Sequence, residues 1–139
     1  MKVLGFAKIA LLLVVLLVTN ACSDRNYIDY RNTDEELCNK DWIQDTKSDA
    51  TINEWKRLTL RFKTNGKYDQ SEAYYRNNDS EPYRTVNDNN LVWTWADDSK
   101  ERIILGEKGQ YTYFDNVMLR DHYLTGVLDG KEVMFTDYK

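Results

Sequence analysis

The chain has 139 residues, with 19 Lys and Arg against 23 Asp and Glu and a net charge of −4. The length allows one domain with a single core, and the acidic balance sets nucleic acid aside as a partner, because a phosphate backbone needs clustered Lys and Arg. Ten Tyr and four Trp beside a single Pro favour strands over helices.

Residues 1–21 come first in chain order and are unlike the rest. Lys2 and Lys8 give a basic start, Ile9 to Val18 is unbroken apolar sequence, and Thr19-Asn-Ala-Cys22 closes the segment. An apolar run of about ten residues is shorter than the roughly 20 needed to cross a bilayer core, and suits the centre of a cleaved export signal. With a small residue directly before a cysteine, the segment resembles the signal of a Gram-negative bacterial lipoprotein. That resemblance implies that Cys22 is acylated and becomes the first residue of a lipid-anchored mature chain, tethered to the membrane without spanning it. Plain secretion, with cleavage after Ala21, is the alternative. Ser23 in place of an Asp points, within the same resemblance, to the outer membrane; which side the domain faces stays open. Removal of residues 1–21 takes away Lys2 and Lys8 and leaves 17 basic against 23 acidic residues, a net of −6.

Residues 22–32 carry no apolar period and read as the lipidated end and a polar tether, whose flexible span is about 18 Å. Thr33-Asp-Glu-Glu36 has the form of a capping box, with Thr33 capping a short helix and Glu36 reaching back to the cap amide. Asp34 and Glu35 suit the positive end of its dipole. Cys38 is the second of two cysteines. If Cys22 carries lipid, Cys38 is a partnerless thiol acting as a small apolar filler; if not, the two can close a short loop as a disulfide.

From Trp42 to the end the chain predicts about eight short antiparallel strands, giving residues 33–139 as the folded domain. Leu58, Leu60 and Phe62 alternate with Arg57, Thr59, Arg61 and Lys63, one dry face and one wet. Asn65-Gly66 follows, and a three-residue loop with Gly66 left-handed sets Phe62 opposite Tyr68 on the dry face. Residues 67–76 return. The stretch Asn77 to Pro82 breaks the pattern, and Asp88-Asn-Asn90 reads as a turn before Leu91, Trp93 and Trp95. Asp97-Asp-Ser-Lys100 makes the next turn, leading to Ile103-Ile-Leu105. Tyr111, Tyr113, Val117 and Leu119 mark one face of residues 110–119. Residues 122–128 and 132–135 form a last hairpin around Asp129-Gly130. Short strands with tight turns argue for a barrel or sandwich.

Leu37-Cys-Asn-Lys-Asp-Trp42, the hairpin Leu60-Arg-Phe62…Gly66-Lys-Tyr68, Trp93-x-Trp95, Ile103-Ile-Leu105 and the Leu119…Leu124 spacing together resemble small lipocalin-like domains over residues 37–138. The resemblance implies an all-β, antiparallel up-and-down barrel with a short N-terminal helix, whose interior holds a small apolar ligand. Leu58, Leu60, Phe62, Tyr68, Trp93, Trp95 and Tyr113 are the candidates for that interior. They serve either as ligand contacts or as ordinary packing; the polar tips of Tyr and Trp suit the first role.

Catalytic chemistry is sparse in the sequence. His122 is the single histidine, and no Ser or Cys is placed beside it to act as a nucleophile. Asp97-Asp98 is explained by turn chemistry and Asp34-Glu-Glu36 by a helix start, rather than by metal binding. No phosphate loop or dinucleotide fingerprint occurs, so no catalytic residue, metal or cofactor is expected. Two functions from different classes remain: a lipid-anchored barrel that binds a small apolar molecule, and a rigid platform for an envelope protein partner. A filled barrel with exposed aromatics such as Tyr74, Tyr75 and Tyr111 grouped on one face is the mark of the second.

Overall fold

A computed structural model describes residues 31–138 apart from Ala50 and Lys108. The leader, Cys22 and the tether as far as Tyr30 lie outside the described residues. A helix, α1 (Asp34–Leu37), precedes eight strands: β1 (Trp42–Asp49), β2 (Glu54–Phe62), β3 (Lys67–Arg76), β4 (Arg84–Trp95), β5 (Ile103–Leu105), β6 (Thr112–Arg120), β7 (Tyr123–Leu128) and β8 (Lys131–Thr136). Each strand pairs antiparallel with its neighbours in sequence, and β8 returns to β1, closing an all-β up-and-down barrel.

The tight turns follow local residue chemistry. Phe62 stands opposite Tyr68, the Lys63 amide donates to the Lys67 carbonyl at 2.8 Å, and Gly66 takes φ 77°. The two rings then stack at 5.6 Å between centroids. Between β7 and β8, Leu128 faces Lys131, and Asp129 and Gly130 have φ of 50° and 75°, the double left-handed signature of a two-residue turn matched to strand twist. Asp97 behaves as a turn residue, its carboxylate accepting from the Ser99 amide at 2.9 Å.

One end of the barrel is sealed. Phe62, Phe114, Phe135, Ile103 and Leu124 fill it without exposure, and Leu37 and Cys38 press in from α1. Trp42 anchors the plug by donating its Nε1 proton to the Leu37 carbonyl at 2.8 Å. Thr33 caps α1 by accepting from the Glu36 amide at 3.1 Å. Glu36, expected to reach the cap amide, instead accepts from the Thr33 hydroxyl at 3.0 Å. Asp34 turns away from the helix and accepts from Trp95 Nε1 at 2.7 Å and Lys100 Nζ at 2.9 Å. Cys38 is a free, buried thiol, and burial pushes it up to about 11.

Two further sequence expectations are corrected. Asn32, assigned to the tether, is buried at 6% exposure. Its amide donates to the carbonyls of Lys100 and Val117 at 2.6 and 2.7 Å and accepts from the Leu119 amide at 2.9 Å. Asp88-Asn-Asn90 is no turn: β4 runs through it with a bulge against Asp69, where Asn90 takes φ 58° and its amide donates to the Asp69 carboxylate at 2.9 Å. An Asn that tolerates the left-handed region closes a turn or makes a bulge equally well, and pairing with β3 selects the bulge. In β6 a second bulge at Asn116 and Val117 faces Gly126. A side chain at Gly126 would meet the Asp115 carbonyl at 2.5 Å, so this close approach requires glycine.

The seam between the first and last strands is short. β1 and β8 pair at Ile43 and Thr136 alone. Beside that point, at the sealed end, Asp137 holds Lys40 at 3.3 Å and His122 Nδ1 at 2.8 Å.

Candidate ligand-binding site

The alternation that fills the sealed end continues along the strands towards the other end, where the inward residues become smaller and polar. β2 turns Phe62, Leu60, Leu58 and then Lys56 inward; β3 turns Tyr68, Gln70 and Glu72. The result is an open mouth holding a cavity of about 420 Å³, within the usual range for small-molecule sites. Its apolar lining comes from Leu58, Leu60, Leu105, Leu128, Val133 and the Tyr68 ring. Its polar lining comes from Gln44 and Thr46 in β1, Lys56 in β2, Gln70 and Glu72 in β3 and Thr112 in β6, and Gln44, Gln70 and Thr112 pair with Leu58, Leu60 and Leu105, so the two kinds of lining are interleaved. Asp129 and Lys131, from the last turn, stand at the rim.

Charge inside the mouth is internally matched. Lys56 Nζ lies 3.1 Å from Glu72 Oε1, and the Tyr74 hydroxyl donates to Glu72 Oε2 at 2.8 Å. Burial pushes the Glu72 carboxyl up, but the bonds from Tyr74 and Lys56 outweigh it and hold the group below its ordinary value. Glu72 is therefore ionised at neutral pH. The Tyr68 phenol is pushed up by burial first and by Asp88 second, and stays protonated. A wider opening of about 770 Å³ adjoins the cavity through shared Tyr68, Leu105 and Thr112, between the β4 bulge and the β5–β6 loop.

Leu58, Leu60 and Tyr68 thus line the cavity. Phe62 and Trp93 lie beneath it, 0% and 5% exposed, packed edge to face at 5.5 Å, with Trp93 Nε1 donating to the Lys63 carbonyl at 3.0 Å. Trp95 lies further down, against Trp93 at 5.9 Å and bonded to Asp34. Tyr113 is on the outer face, 46% exposed, beneath Arg102 at 5.6 Å. There it lines a shallow groove of about 560 Å³ with Tyr111 and Ile104. The bulge at Asn116 is the reason: it breaks the two-residue period, so that Phe114, Val117 and Leu119 face inward and Tyr113 faces out.

The sequence reading missed the polar part of the lining. Lys56 and Glu72 each share the inward phase of a dry-faced strand, and a charged residue on that phase is the signal that marks where the packed core gives way to a mouth. The cavity lining contains no Ser, Cys or His, and His122 sits at the other end of the barrel against Asp137. Among the described residues, no group of three or more His, Cys, Asp or Glu is placed to hold a metal ion. No protein-family model, curated protein or solved structure matches the chain.

Proposed function

We propose that this chain is a lipid-anchored envelope protein, held through Cys22 at the outer membrane, whose lipocalin-like barrel binds a small molecule in its mouth. The observation that carries the reading is the cavity of about 420 Å³, lined by both apolar and polar side chains. Residues that converge on space rather than on one another are suited to receiving a guest, and the lining is suited to binding rather than bond-making. The ligand has an apolar body, as the sequence suggests, and carries hydrogen-bonding groups that match the polar lining.

Titration of the purified protein with Nile red, an uncharged environment-sensitive dye, tests the reading. Saturable one-to-one binding is expected. Leu58→Trp, which fills the cavity from its lining, should abolish binding while circular dichroism stays native. Unchanged dye affinity in folded Leu58→Trp would place binding elsewhere.

A protein-docking role has one specific support. Met118, Thr125 and Met134 form a cross-strand row on the outer face of β6, β7 and β8, with the methionines 48% and 57% exposed. The aromatics expected to mark such a platform do not gather: Tyr75 is covered by Trp55, stacked at 3.9 Å, whereas Tyr111 is exposed near β5. The cavity reading is the stronger.

A further inference from the structure

Resting on the carrier reading, we infer that the mouth takes an uncharged amphiphile, an apolar body bearing hydroxyl or amide groups, and that the Lys56–Glu72 pair makes the site refuse ions of either sign. The charged pair inside the cavity is closed on itself, and the charges at its rim are one of each sign. Lys56 and Glu72 are bonded within the wall, Asp129 and Lys131 each line the rim, and from β4 Arg84 acts on Glu72 while Asp88 acts on Tyr68. The cavity therefore offers no net charge to a guest.

The neutral groups are arranged differently. Among the described residues, the side chains of Gln44, Gln70, Thr46 and Thr112 make no hydrogen bond to the protein, yet all four line the cavity. They present donors and acceptors to a ligand, whereas Lys56 and Glu72 are already satisfied by one another. A carboxylate brought to Lys56 must displace Glu72 or lie beside it, two like charges in a half-enclosed space. An ammonium brought to Glu72 meets Lys56 in the same way. Both ions also lose hydration on entering. A glyceryl, glycosyl or amide head group loses less and finds Gln and Thr partners.

A matched eight-carbon series provides the test: 1-monooctanoylglycerol, octanoate and octylammonium, each displacing Nile red from the full protein below its micelle concentration. The glyceride should bind at least about tenfold more tightly than either ion, a conservative figure for like-charge juxtaposition. In Glu72→Gln, octanoate should gain about tenfold on the glyceride; in Lys56→Gln, octylammonium should make the same gain. The doubly uncharged Lys56→Met/Glu72→Leu should again refuse both ions. The wild-type ranking is decisive even if a variant fails to fold. Octanoate or octylammonium equal to the glyceride in the wild type overturns the inference and leaves the carrier reading standing, as does dye binding that none of the three displaces. Absence of saturable binding by the dye and all three compounds removes both.

Discussion

Asn32 shows how far a single amide can define a boundary. Three hydrogen bonds fasten it to the turn at Lys100 and to β6 beside its bulge. Asn32→Ala leaves a buried backbone amide and two carbonyls without that partner, and is expected to cost about 1–3 kcal/mol. Asn32→Asp is expected to cost more, because a carboxylate cannot donate to either carbonyl. Urea denaturation midpoints of the three proteins check both, and a midpoint unchanged in Asn32→Ala would show that residue 32 belongs to the tether. Nothing in the polar run before Thr33 reveals this role, since an Asn that bonds to backbone 68 to 87 residues away has no local signature. Trp42 is the opposite case: the sequence reading begins the strands at Trp42, and β1 starts there.

At the level of elements, the β2–β3 hairpin was legible because local chemistry and packing agree. Asn65-Gly66 supplies the turn, and the same register pairs Phe62 with Tyr68. β4 and β6 were misread where an Asn with positive φ, Asn90 and Asn116, shifts the phase; pairing partners decide such bulges, and those lie far along the chain. The seam between β1 and β8 gives an element-scale prediction. β1 is paired with β2 from Trp42 to Asp49 but meets β8 only at Ile43. In an antiparallel strand, successive amides point to opposite neighbours. Amides of residues 44–49 directed towards β8 should therefore exchange with deuterium much faster than those directed towards β2. Equal protection of the two sets would show a zipped seam. Away from the paired point, towards the mouth, Gln44 and Thr46 stand on a stretch of β1 held by β2 alone.

For the whole molecule, acid should be the destabilising condition. Asp34 is held below its ordinary value of 3.8 by bonds from Lys100 and Trp95. Asp137 is raised by burial but lowered further by His122 and Lys40, and Glu72 is lowered on balance from 4.5. Carboxyls with lowered folded values contribute stability that is fully present above their ordinary values and is lost as pH falls through the folded ones. The thermal midpoint should hold from neutral pH to about 5 and fall below about 4. Asp34→Asn should flatten that fall, because its contribution no longer titrates. A midpoint that does not fall below pH 4 would contradict these pairings. Asp34 joins α1 to β4 and the 97–100 turn, Asp137 closes the seam, and Glu72 shapes the mouth, so loss of all three loosens both ends of the barrel.

The chain enters the barrel at its base. Asn32, α1 and the Asp34 contacts all lie at the sealed end, whereas Gln44, Lys56, Glu72 and Lys131 form the mouth at the opposite one. A load arriving through residue 31 passes into β6 and the turn before β5, and the rim bears none of it. A pull on the foot of the cup therefore leaves its lip unstrained.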